Sequence, residues 1–344
     1  MTNPVLVEVT RGAIVESRHR GAVAVVDAGG RRVAAHGDVT APVFPRSAVK
    51  AIQALPLVES GAADAYGFGA AELALASASH SGEPRHVETA AAMLAAAGKS
   101  AAELECGAHA PMSSLAERIL IRAGHPPGPL HNNCSGKHAG FICTACHLGI
   151  DPKGYVLPDH PVQREVTAAL ADLTGTELGE ANRGVDGCSI PAYAIPLERL
   201  ARAFAIMATG KELAPVRAAA AKRILEACMT EPFMVAGSGR FCTDVMPLFP
   251  GRVFVKGGAE GVYCAAFPEA GLGVALKIDD GAGRASEVAM AAVIAALLLP
   301  AGAVPAAFAR RLVPPVNTRR ETRVGELRAA PEFLNALTGE LART

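Results

Sequence analysis

The 344-residue chain has no tryptophan, and its aromatic residues together make up only 4%. Platforms on which nucleic-acid bases stack are built from aromatic rings, so this composition argues against them. Charge of one sign is also lacking: 33 Lys and Arg balance 33 Asp and Glu. No Lys/Arg run gives the basic footprint of a nucleic-acid binder, so no such partner is expected. The longest apolar run, Val288 to Pro300, is too short to span a bilayer, and no membrane partner is expected. The start, MTNPVLVEVTRG, lacks the charged and then apolar pattern of a secretory signal. The expectation is a soluble cytoplasmic protein whose eight cysteines are reduced. Three motifs are missing as well. No G-x-G-x-x-G follows a strand, no G-x-S-x-G occurs, and Gly136-Lys137 precedes His138 where a phosphate loop needs Ser or Thr.

Half of the residues are hydrophobic, which is ample for one large domain or two lobes. Residues 4–10 and 21–27 read as strands joined by a polar bend. A Gly29-Gly30 turn leads from the second strand to 31–37, which makes a hairpin. Further strands are predicted over 252–258 and 271–278. Helices are predicted over 86–97, 113–123, from His138 to about 150, and over 162–173, 197–209, 216–229 and 287–299. The charged tail past Thr318 is expected to dock weakly or fray. Strands at both ends and helices between them predict an α/β fold. In this reading one domain covers 1–344, its sheet is formed from both chain ends, and a helical lobe of about 86–230 is inserted.

The stretch FPRSAVKAIQALPLVES places Ser47 and Lys50 three residues apart, at the start of an expected apolar helix opened by Pro45. A serine becomes a nucleophile when a base takes its proton, and a lysine serves as that base only when it is neutral. The plain alternative is a helix cap beside a lysine reaching for solvent. Ser79-His80-Ser81 ends a buried segment. Lys256-Gly257-Gly258 ends a strand at glycines that allow close approach of the backbone. Cys134 lies at a loop-to-helix junction and Cys188 in a tight turn. Two thiolates and a nitrogen would suit zinc with one open position, although buried cysteines are more often simple core residues. Cys143-Thr144-Ala145-Cys146-His147 has the spacing of a haem attachment site, but it falls inside an apolar helix with no export signal, so core packing is expected.

Taken together, FPRSAVKAIQALPLVESG, ASHSGEPRH, NNCSGKHAG, LPDHP, GVDGCSIP, MVAGSGRFCT and VKGGAEGV resemble the class 3, or Rhizobium etli-type, L-asparaginase family over most of the chain. The resemblance implies a β-lactamase/glutaminase-like fold, a homodimer, and hydrolysis of L-asparagine to L-aspartate and ammonia. It implies two Ser–Lys pairs, Ser47 with Lys50 and Ser79 with Lys256. It also implies a zinc ion on Cys134, Lys137 and Cys188 that tunes substrate binding without activating water. Arg46, His138 and Asp186 are the candidates for gripping the charged ends of the substrate. Two rival readings stay open. One is a glutaminase or another amide- or β-lactam-cleaving enzyme on the same scaffold, since one methylene is a small discrimination. The other is a non-catalytic zinc- or amino-acid-binding protein.

Overall fold

The computed structural model describes residues 2–299 and 304–343. Pro300, the last residue of the long apolar run, lies outside them. The chain forms two compact units. One comprises Met1–Ala48, Ile195–Ala205 and Val255–Thr344, and the other Val49–Ala194 and Ile206–Phe254. No helix among the described residues is long and apolar enough to cross a membrane.

The first unit is organised on a sheet drawn from both chain ends. Its strands are β1 (Val5–Arg11), β2 (Ile14–Asp27), β3 (Arg32–His36), β4 (Phe254–Gly257), β5 (Val262–Phe267), β6 (Leu272–Ile278), β7 (Pro315–Asn317) and β8 (Arg323–Ala329). They run in the order β7-β8-β1-β2-β6-β5-β4, with β3 also paired to β2. The pairings of β1, β2, β3, β6 and β8 with their neighbours are antiparallel, and the fold is mixed α/β.

Two parts of this sheet differ from the sequence reading. Residues 14–20, expected as a polar bend, are the first half of β2 and pair with β1 through Glu8↔Arg18 and Val9↔Ser17. Their polar residues alternate because one face meets solvent, and alternation of that kind is itself a strand signal. The tail is not loose. β8 pairs with β1 through Val7↔Ala329 and Val9↔Leu327, and the helix Pro331–Leu341 buries Phe333 and Leu337. Its charges also have partners: Arg328 reaches Glu8 at 3.2 Å. β5 carries no strand period in the sequence, because all six residues of VYCAAF are buried and none alternates with a polar one. The helix Gly283–Leu298 packs on β1, β5, β6 and β8.

The second unit is helical. It includes α1 (Lys50–Gln53), α2 (Leu55–Glu59), α3 (Ala70–Ala76), α4 (Pro84–Ala96), α5 (Ser135–His147), α6 (Pro161–Thr174) and α7 (Pro215–Thr230). Helix α5 lies at its centre, packed on α3, α4, α2 and α6, and is buried continuously from Ser135 to Ala145. It starts at Ser135, three residues before the expected His138. A Cβ on Gly136 would lie 2.5 Å from the Leu75 carbonyl oxygen, so only glycine lets α5 approach the end of α3 this closely.

The helix expected to begin at Pro45 is interrupted. Arg46 takes φ of 52°, Arg46–Val49 form a single 3-10 turn, and α1 is one short turn. A second helix follows with Pro56 in its first turn. Pro56 has no N–H to continue the ladder from Ile52, which explains the break.

Candidate functional site

Three lysines are almost completely buried: Lys50, Lys137 and Lys256 have relative exposures of 1%, 2% and 2%. Lysine is seldom buried unless it is paired, so the partners of these three define the chemistry. Two of them belong to the helical unit, and each donates to a buried cysteine sulfur.

Lys50 opens α1. Its Nζ donates to the Ala78 carbonyl oxygen, to Ser79 Oγ at 3.1 Å and to Cys134 Sγ at 3.0 Å. Ser79 is in place because it follows α3 in a loop whose backbone is fixed from outside. Ser79 N–H donates to Val235 O at 3.0 Å, and His80 N–H donates to Asn133 O at 3.2 Å. Cys134 directly precedes α5 and is buried. Lys137, one turn along α5, donates to Cys188 Sγ at 3.2 Å. Cys188 sits in the turn between the short strands Arg183–Val185 and Pro191–Tyr193, where Ser189 adopts φ of 74°.

The two thiols differ in acidity. The Cys134 thiol is held well below the usual thiol range by the hydrogen bond from Cys188 and by the Lys50 and Lys137 charges, which outweigh burial. The Cys188 thiol is pushed up by that same bond and by burial. Cys134 Sγ also faces Asn133 Oδ1 at 3.0 Å. Burial disfavours the Lys137 charge, but the attraction of Cys188, Cys134 and Asp186 is stronger and raises its pKa.

His138 is completely buried, and its Nδ1 lies 2.7 Å from the Tyr155 hydroxyl. That hydroxyl accepts the Glu105 N–H at 2.8 Å, and His138 Nδ1 is the acceptor within reach of its own proton. His138 is thereby neutral, with its proton on Nε2, and burial, Lys137 and Lys50 all push its pKa down. Its Nε2 finds no protein partner. Asp186 is half-buried and accepts the Gly187 N–H.

The remaining candidates lie in the sheet unit. Ser47 is half-buried, and solvent reaches it, in the 3-10 turn; Arg46 precedes it. Lys256 lies on β4, and its Nζ donates to Gly257 O at 2.8 Å. A Cβ on Gly258 would stand 2.4 Å from Pro45 O and 3.1 Å from Ala48 N. The end of β4 therefore runs against the turn that carries Ser47, and glycine is what permits it.

Lys50, Ser79, Cys134, Lys137 and Cys188 thus form one hydrogen-bonded cluster. A zinc ion here would be held by Cys134, Cys188 and the Lys137 amine, and since the Lys137 pKa is raised the metal would have to displace that proton. Among the described residues no three of His, Cys, Asp and Glu gather as a metal site, so the third donor would have to be the Lys137 amine. Tyr155 and Ser135 do not stand out in the sequence. A lone tyrosine and a serine opening a helix carry no motif of their own, and their roles appear only in the hydrogen bonds they make.

The L-asparaginase II family model matches residues 7–329. No curated protein matches the chain significantly. Similar solved structures include a β-lactamase from Mycobacterium bovis, with 15% identity over 80% of this chain and 94% of that one and a TM-score of 0.37. Another is simvastatin synthase from Aspergillus terreus, with 13% identity over 75% of this chain and 86% of that one and a TM-score of 0.36.

Proposed function

Because the chain belongs to the L-asparaginase II family, we propose that it hydrolyses L-asparagine to L-aspartate and ammonia through a serine acyl-enzyme. The observation that supports this reading is the buried Lys50 amine, which donates to the Ser79 hydroxyl; the pairing of Lys50 with Ser47 and of Ser79 with Lys256 is part of the proposal. A lysine withdrawn from water beside a serine is the arrangement that Ser–Lys nucleophilic catalysis needs.

In the proposed sequence, Ser47 Oγ attacks the side-chain amide carbon and Lys50 takes the hydroxyl proton. The C–N bond then breaks, and the Ser79–Lys256 pair delivers a proton to the leaving nitrogen, which departs as ammonia. Water adds to the aspartyl ester, aspartate leaves, and Ser47 recovers its proton. The Lys50–Ser79 bond supports proton exchange between the pairs. Arg46, His138 and Asp186 are assigned to the substrate's charged ends, with the His138 Nε2–H free to meet an oxygen.

Cys134, Lys137 and Cys188 are assigned to zinc. When bound, the ion would supply a fixed positive charge near the substrate and tune its binding. Metal content measured after purification without chelator, with Cys188→Ser as the control, checks this part independently of turnover. We further assign the protein to the cytoplasm as a homodimer.

The test is ammonia release from L-asparagine and L-glutamine, run side by side. Preference for asparagine, with heavy loss in Ser79→Ala, is expected. Release from glutamine alone would replace the substrate, and release from neither would overturn the reading.

A further inference from the structure

The residues that follow Ser79 and Cys134 also meet each other. Lys50 joins Ser79 to Cys134 through its amine, and the next residue of each segment, His80 and Ser135, are joined directly: His80 Nε2 lies 2.9 Å from Ser135 Oγ. The direction of that bond follows from its neighbours. His80 Nδ1 accepts the backbone N–H of Gly82 at 3.1 Å, so a neutral ring must carry its proton on Nε2. Nε2–H therefore donates to Ser135 Oγ, and Ser135 passes its own proton to Leu130 O at 3.0 Å.

The ring has no room to turn. His80 is completely buried and stacks on His86 at 5.0 Å between centroids; His86 in turn stacks on Phe233 at 4.6 Å. His86 has the same tautomer, with Nδ1 accepting the Glu83 N–H and Nε2 donating to Phe233 O. A second proton on His80 Nδ1 would face the Gly82 N–H, donor against donor. Burial, His86 and Lys50 also disfavour the cation.

We propose that His80 and Ser135 are a positioning pair: their hydrogen bond fixes the spacing of Ser79 Oγ and Cys134 Sγ around the Lys50 amine, and turnover requires it. The proposal rests on the asparaginase reading. It adds that two residues with no direct role in proton transfer set the geometry of the pair that has one. His80 acts through Ser79, its chain neighbour, and Ser135 acts through Cys134 in the same way. Small misplacements of reacting groups slow catalysis by up to ~10²-fold, so the effect belongs in kcat.

Ser135→Ala removes one oxygen and with it the partner of both His80 Nε2–H and Leu130 O, so its folded state is checked by denaturant unfolding beside its turnover. It should lower kcat on asparagine by about tenfold or more and change KM little. His80→Gln, whose side-chain N–H reaches towards Ser135, should retain more activity than His80→Ala. The double variant His80→Ala/Ser135→Ala should be no slower than the slower single one, since both remove the same bond. Ring-nitrogen NMR of the parent should show His80 protonated on Nε2 and bare on Nδ1. A Ser135→Ala enzyme with kcat close to that of the parent, or a proton found on Nδ1, overturns the proposal. If the parent releases ammonia from no amide, the functional reading fails and the positioning pair falls with it; an unchanged kcat in Ser135→Ala of an active parent overturns the positioning pair alone.

Discussion

At the scale of single residues, the cluster around Lys50 depends on groups that carry no chemistry of their own. Tyr155 is the clearest example. Its hydroxyl is held by the Glu105 N–H and itself fixes the His138 tautomer. Tyr155→Phe would strip both groups of their partner inside the protein, at about 1–3 kcal/mol for each unsatisfied group. We expect a loss of roughly 2–6 kcal/mol in denaturant unfolding, with the His138 Nε2 proton no longer fixed. A variant as stable as the parent would remove Tyr155 from this role. The residues that do the chemistry are more legible than those that support them. Ser47 with Lys50, and Cys134 with Lys137, stand out as short spacings, and their motifs resemble a known family. Tyr155 is distant in sequence from His138's own motif, and only folding brings the two together.

At the scale of elements, the C-terminal segment is structural. β8 pairs with β1, and Leu327, Phe333 and Leu337 are buried. Burial of three such side chains contributes roughly 5–9 kcal/mol, comparable to the whole stability of many domains, roughly 5–15 kcal/mol. Truncation after Thr318 should therefore leave no folded protein. Soluble truncated chain that still unfolds cooperatively would contradict this. The sequence hid β8 because RVGELRA mixes charge with apolar residues, and its pairing partner lies more than 300 residues away at the other chain end. The Gly29-Gly30 hairpin was legible because its signal is local: β2 and β3 pair across it. The Ser47 stretch lies between these cases. Its apolar period pointed to one helix, but Pro56 and the left-handed Arg46 divide it into turns.

At the scale of the whole molecule, the buried histidines tie stability to pH. His80, His86 and His138 are all held below the ordinary histidine value, in each case chiefly by burial. Above about pH 6.5 they are neutral in both the folded and the unfolded chain and contribute no pH dependence. Below it the unfolded chain takes up protons that the folded chain refuses. Stability therefore falls as the pH drops from 6.5 towards the folded-state values, by about 1.4 kcal/mol per pH unit for each histidine. The urea midpoint should decline steeply between about pH 7 and pH 5. A flat midpoint over that range would mean that these rings are protonated in the native state.

The central claim is that a serine forms an ester with the aspartyl group of the substrate. Its most direct test is mass spectrometry of enzyme quenched during turnover of asparagine. We expect one added aspartyl group on the peptide bearing Ser47, and none in Ser47→Ala, which should also be inactive but folded. Undiminished ammonia release by Ser47→Ala, with no adduct on any serine of the parent, would contradict the account.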